Sequence, residues 1–163
     1  MPWQKVTLVG VGLLGGSLGL ALKRRGLANT VAGYVRRTAS IAECQKFGVA
    51  DWATCDLHQA VEKADLIVLC IPLGQMRSVA ERMLPAIKPG AIVTDVGSVK
   101  AGVIQEMEPL VAGAGGHFIG SHPMAGAEKM GMSAARENLF VQAICAITPT
   151  ARTAPMAVRH AEE

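Results

Sequence analysis

Short apolar runs alternate along the chain with longer mixed segments. Val6-Thr7-Leu8-Val9 is a β-branched run that ends in Gly10-Val11-Gly12-Leu13-Leu14-Gly15-Gly16-Ser17. Apolar Leu18, Leu20, Ala21 and Leu22 follow, then Lys23, Arg24, Arg25 and Gly26. This order predicts strand, glycine turn and helix, with basic residues in the last helical turn and a glycine stop. Residues 30–34 predict a second strand. Thr38 or Ser40 can cap a short helix over 42–47. Val49-Ala50 reads as a short third strand, and Asp56 as the cap of a helix over 57–63.

Residues 66–71 are continuously apolar, as in a parallel strand buried on both faces, and Pro72 ends the run. A helix near 76–84, the turn Pro89-Gly90 and a strand over 91–95 follow. Val96-Gly97-Ser98-Val99-Lys100 then leads into a helix to about Val111, for which Ser98 can be the N-cap. His117-Phe118-Ile119-Gly120 predicts a strand that ends at His122. Residues 139–148 form a further strand-like run stopped by Pro149, and 154–163 read as a linker's end and the first turns of a helix. Strands alternating with helices predict an α/β fold with a Rossmann-type, doubly wound, mostly parallel sheet. The expected division is a dinucleotide-binding domain over 1–149, then a linker and the start of a helical domain over 150–163.

Gly10, Gly12 and Gly15 match GxGxxG between a strand and a helix. The first glycine permits the tight turn, the second lets backbone approach a pyrophosphate, and the third lets helix and strand pack closely. The free N–H groups at the helix start, around Leu13 and Leu14, then face the phosphates. A Gly-rich structural turn is the plainer alternative. In an NAD-binding fold an acid usually stands at the end of the second strand, bonded to the ribose hydroxyls. Here Val35, Arg36 and Arg37 stand there instead. Guanidiniums hold a 2′-phosphate that a carboxylate would repel, so NADP is the expected cofactor and NAD the second choice. A solvated basic turn is the alternative reading of the same residues. Cys70, Ile71 and Pro72 close the apolar strand and are expected beside the cofactor.

The 163 residues, half of them hydrophobic, suit one ordinary domain with its own core. The formal charge of +3 fits an anionic small molecule. No Lys/Arg stripe with interleaved aromatics suggests nucleic acid. Four scattered cysteines without a CxxC pair argue against a zinc site or a disulfide scaffold, so no metal is expected. No apolar run approaches the roughly 20 residues of a membrane span, and no signal peptide precedes Val6, so the expected location is the cytoplasm. Gly120-Ser121-His122-Pro123-Met124-Ala125-Gly126 is the expected seat of the chemistry. Pro123 pushes His122 towards an extended conformation at a strand end, where an imidazole can act as acid or base. A satisfied structural histidine is the alternative.

With these residues in view, the chain resembles the prephenate/arogenate dehydrogenase family of tyrosine biosynthesis. Three blocks carry the resemblance: residues 10–17, Asp95-Val-Gly-Ser-Val-Lys100, and residues 120–126 followed by Glu128. The first is shared by many dehydrogenases; the second and third, in this order, are specific. The resemblance covers about 6–148. It implies that His122 is the catalytic base, and that Ser98 hydrogen-bonds it and lies beside the nicotinamide. The basic end of strand two is similar to that of NADP-using arogenate dehydrogenases. The implied substrate, prephenate or arogenate, is a cyclohexadienol with a ring carboxylate and a 4-hydroxyl. Hydride leaves the hydroxyl-bearing carbon, the base withdraws the hydroxyl proton, carbon dioxide departs and the ring becomes aromatic. Lys100 and Glu128 are candidates to border the substrate. The family's C-terminal helical domain, which supplies homodimer contacts, has no counterpart after 163. A stand-alone dinucleotide-binding module is therefore the alternative function. Another Rossmann reductase, of the β-hydroxyacid or pyrroline-carboxylate type, would not explain Ser98 with His122.

Overall fold

The computed structural model describes residues 2–162. Seven strands form one sheet in the order β3-β2-β1-β4-β5-β6-β7. They are β1 (Trp3–Val9), β2 (Ala28–Tyr34), β3 (Trp52–Thr54), β4 (Leu66–Leu69), β5 (Ile92–Asp95), β6 (His117–Pro123) and β7 (Cys145–Thr148). All pair in parallel except β6 with β7. The helices are α1 (Leu13–Arg24), α2 (Ala39–Phe47), α3 (Leu57–Val61), α4 (Leu73–Met83), α5 (Ala101–Gly113) and α6 (Pro155–Glu162). The chain winds outward from β1 to β3 and then returns to β4 on β1's other side. That reversal opens a crevice at the carboxyl ends of β1 and β4, where doubly wound sheets bind ligands.

The apolar runs are buried on both faces because alternate side chains serve two cores. Val6, Leu8 and Val68 pack in a cluster with Leu22, Val31 and Cys44. Val9, Ile67 and Leu69 pack in another with Met76, Met83, Met107 and Phe118. A third, smaller cluster joins Ile92, Ile119 and Ala157, so α6 lies against the sheet. Thr7, fully buried, donates its hydroxyl proton to the Ala60 carbonyl at 2.7 Å, which removes the cost of its burial.

Three expectations are corrected. Val49 and Ala50 are not a strand; β3 begins at Trp52. Gly48, at φ +65°, ends α2, and the Val49 N–H bonds back to the Cys44 carbonyl. Val49 and Ala50 therefore fill the space beneath α1, and the Asp51 carboxylate takes the Val31 N–H that a strand would have taken. Only the end of the 139–148 run is strand. Gln142 has φ +62°, and Val141 and Ile144 are exposed. Ser98 is exposed and does not cap α5, whose N-cap position is Lys100. Asp56 does cap α3, accepting the Gln59 N–H, but that helix ends at Val61, before Lys63 at φ +60°. The helix expected over 154–163 runs from Pro155 to Glu162, and Glu163 lies outside the described residues.

Two carboxylates, just before β4 and β3, tie neighbouring elements together. Asp65 accepts from the Lys5 N–H at 2.8 Å and from the Lys88 ammonium. Asp51 accepts from the Val31 N–H and pairs with Lys23, both at 2.8 Å. Burial pushes both carboxyls up, but the lysine and amide donors outweigh it and hold them below their ordinary value. Their folded pKa is lower than the unfolded one, so their contribution is complete above the unfolded value of about 3.9 and is lost as pH falls below it. The melting temperature is expected to be level from neutrality to about pH 5 and to drop below about pH 4. Asp65→Asn should cost about 1.5–3 kcal/mol at neutral pH and make the acid drop shallower. An acid drop as steep as that of the parent chain would remove Asp65 from the explanation.

Candidate active site

The glycine turn after β1 has the geometry its spacing predicts. Gly10 has φ +94°, and a Cβ there would lie 2.7 Å from both the Cys70 carbonyl oxygen and Ile71 Cγ2. A Cβ on Gly15 would lie 2.2 Å from the Gly10 carbonyl oxygen and 3.2 Å from Cys70 Cβ. Gly12, by contrast, has nothing within 4 Å of where its Cβ would be. The three glycines thus divide into one for the turn, one facing open space and one for close packing. The first bond of α1 runs from the Gly16 N–H to the Gly12 carbonyl at 2.9 Å. No side chain caps the helix, so among the described residues the N–H groups of Leu13, Leu14 and Gly15 have no backbone acceptor. Unpaired N–H groups, a helix N-terminus and an open glycine face together make a cradle for a phosphate.

The neighbouring strand ends join this turn. Cys70, Ile71 and Pro72 stand at the end of β4, and the Cys70 N–H bonds to the Val9 carbonyl at 2.8 Å. Burial first, then the Asp95 carboxylate, pushes the Cys70 thiol up to about 12, so it is a packing group and not a nucleophile. Arg36 and Arg37, just beyond β2, are exposed, and no carboxylate pairs with either among the described residues. Their charge is therefore available to a ligand.

The third part of the rim carries His122 and Ser98. The 96–99 turn packs against the start of α4, where a Cβ on Gly97 would lie 2.5 Å from Leu73 Cδ2. Next to it stands a buried polar cluster. Asp95, with no exposed surface, accepts the Gly97 N–H at 2.8 Å, the Ser121 N–H at 3.2 Å and the Lys100 ammonium. Lys100 also donates to the Ser121 carbonyl at 2.8 Å. Lys100 is therefore mostly buried in an ion pair and does not stand free at a substrate mouth. Glu128 is exposed in the loop after β6. His122, half-buried, lies in β6 opposite Ala146 of β7. Ser98 stands just beyond β5 and His122 lies in the neighbouring β6, and no hydrogen bond joins them among the described residues.

Sequence reasoning missed the docking of residues 132–136 on α1. Ser17, fully buried, accepts the Arg136 N–H at 3.0 Å, and a Cβ on Gly16 would lie 2.9 Å from Ala135 Cβ. The run of two glycines and a serine was the local signal: small residues on a helix face admit a close neighbour. A cavity of about 630 Å³ lies over β4, β5, β6 and β7 beside α1 and α6, and its lining reaches Val96, Ser121 and Pro123. Its lining is largely apolar and includes Leu18, Leu66, Val68, Ile92 and Ile147, which does not suit a charged dinucleotide. Among the described residues no helix is long and apolar enough to cross a membrane, and no group of three metal-ligating side chains converges.

Residues 18–163 match the family profile described as prephenate dehydrogenase, nucleotide-binding domain. A cyclohexadienyl dehydrogenase from Zymomonas mobilis is 33% identical over 159 residues, covering 97% of this chain and 53% of that protein. The solved structure of Synechocystis arogenate dehydrogenase aligns with TM-score 0.89 and 36% identity, over 98% of this chain and 55% of that one. That of A. aeolicus prephenate dehydrogenase, in complex with hydroxyphenyl propionate and NAD+, aligns with TM-score 0.91 and 29% identity, over 99% and 56%. The chain spans about half the length of the curated relatives it matches.

Proposed function

This chain belongs to the prephenate dehydrogenase family, and from that membership we propose that it carries the nucleotide-binding and base-bearing half of an enzyme for oxidative decarboxylation of prephenate or arogenate. The observation that carries the proposal is the continuous rim of strand ends. Gly10 touches Cys70 and Ile71, Gly97 touches Leu73, and Asp95 bonds Ser121, the residue before His122. Blocks far apart in sequence thus meet along one edge. The relatives named above support the reaction class, and the open face at Gly12 with three unpaired N–H groups supports a bound pyrophosphate.

In this proposal Gly10, Gly12, Leu13, Leu14 and Gly15 hold the pyrophosphate, Arg36 and Arg37 the 2′-phosphate of NADP, and Cys70, Ile71, Pro72 and Ser98 line the remainder. The nicotinamide, when bound, supplies a hydride acceptor. His122 takes the proton of the substrate's 4-hydroxyl on a ring nitrogen as the hydroxyl carbon is oxidised. The ring carboxylate then leaves as carbon dioxide and the ring becomes aromatic. Ser98 orients His122 from the adjoining turn and lies beside the nicotinamide. In this reading residues 1–149 form the dinucleotide-binding domain and 150–163 a linker and the start of a helical domain such as the family carries, with cytoplasmic location and pairing into homodimers.

The cofactor assignment has its own test in calorimetry. NADP+ should bind at least about ten-fold tighter than NAD+, as expected of charge-assisted bonds to one added phosphate. Arg36→Ala should erase that difference and leave NAD+ affinity unchanged. Equal affinities in the parent chain would overturn the assignment.

A further inference from the structure

The parallel ladder between β5 and β6 ends at Thr94 and Ile119. Beyond that point the two strands are joined by side chains. Asp95 Oδ1 accepts the Ser121 N–H at 3.2 Å, and the Lys100 ammonium donates to the Ser121 carbonyl at 2.8 Å. Both main-chain groups of the residue before His122 are thus held by one buried ion pair. The Ser121 hydroxyl adds a bond to the Asp95 carbonyl at 2.5 Å, and the Thr94 hydroxyl bonds the Ile119 carbonyl at 2.7 Å. The same Asp95 carboxylate accepts the Gly97 N–H at 2.8 Å, which fixes the turn carrying Ser98.

We propose that Asp95 is a positioning residue: its carboxylate, locked by Lys100, sets the 96–99 turn and the His122 segment of β6 in one register. This rests on the reading of His122 as the base. A buried ion pair adds little net stability over apolar groups of the same shape, so its effect lies in fixing geometry. On its far side His122 is held by the antiparallel ladder to β7, opposite Ala146. On its near side the ladder has ended, and beside the ion pair the Ser121 hydroxyl bonds the Asp95 carbonyl at 2.5 Å and meets the Thr94 hydroxyl at 3.1 Å. Replacing the carboxylate breaks its ion pair and leaves that side to the Ser121 hydroxyl and the Lys100 bond to the Ser121 carbonyl, so the segment loosens and the imidazole samples several orientations, while the glycine turn at the β1 and β4 ends keeps its own contacts.

The test uses Asp95→Asn in the 163-residue chain. The readouts are the His122 ring Cε1–Hε1 signal in a carbon–proton spectrum, amide exchange at Ser121, and dinucleotide affinity by calorimetry. The expected result is a His122 signal that splits or broadens, Ser121 exchange faster by at least about ten-fold, and dinucleotide affinity within about three-fold of the parent. An unchanged ring signal with unchanged Ser121 exchange would overturn the proposal. So would loss of dinucleotide affinity beyond ten-fold, which would make the pair a brace for the whole rim. Should Asp95→Asn fail to fold, the double variant Asp95→Asn, Lys100→Met, which buries no unpaired charge, carries the same readouts. None of them depends on turnover, so a chain that oxidises neither substrate still tests the clamp.

Discussion

Replacing His122 with asparagine is expected to lower turnover by at least about 10²-fold, the usual effect of removing a positioned general base. The measurement is the rate of nicotinamide reduction, in a chain completed by the C-terminal half that the relatives carry. Dinucleotide affinity should stay within a few-fold, because the glycine turn and Arg36 stand at other strand ends. An effect on rate without one on cofactor binding marks an interaction made in the transition state. Asparagine keeps a polar group of similar reach on β6 but cannot take a proton near neutral pH. Wild-type turnover in His122→Asn would mean that the base stands elsewhere, and the histidine is a structural member of β6.

The second large effect is expected at the glycine turn, where two neighbouring positions should respond in opposite ways. Gly15→Ala places a methyl 2.2 Å from the Gly10 carbonyl oxygen, a backbone atom with no rotamer to yield. In an ordinary helix alanine would add about 0.5–1 kcal/mol of stability. Here the overlap should dominate and cost about 3 kcal/mol, seen as a lower melting temperature. Gly12→Ala meets nothing within 4 Å, and its φ of −100° is not in the left-handed region that favours glycine. That variant should melt like the parent yet lose dinucleotide affinity by at least about ten-fold, since its methyl fills the face left for the pyrophosphate. Unchanged affinity in Gly12→Ala would show that no phosphate approaches there.

What the sequence made legible was local. GxGxxG compresses its signal into a few consecutive residues between a strand and a helix, and the sheet follows from apolar runs that must be buried on both faces. The errors came where burial and pairing separate. Val49 and Ala50 are as apolar as a strand, but Gly48 turns them under α1, and pairing starts three residues later. In sequence Lys100 is a candidate to border the substrate, and its ion pair with Asp95 is visible only once the start of α5 folds back over β5. The bond from Arg136 to Ser17 spans 119 positions, and no periodicity announces it. Beside these backbone turns, the missed features are side-chain bonds between elements, and of these the Asp95–Lys100 pair ties the ends of β5 and β6.

We propose that this rim belongs to an enzyme that oxidises and decarboxylates a cyclohexadienol. The most direct test of that claim completes the chain with a relative's C-terminal half and supplies NADP+ with prephenate or arogenate. Absorbance at 340 nm is followed together with released carbon dioxide. One of the two substrates should yield reduced cofactor and carbon dioxide one for one, at a rate that His122→Asn depresses. A completed chain that binds NADP+ and oxidises neither substrate would contradict the claim.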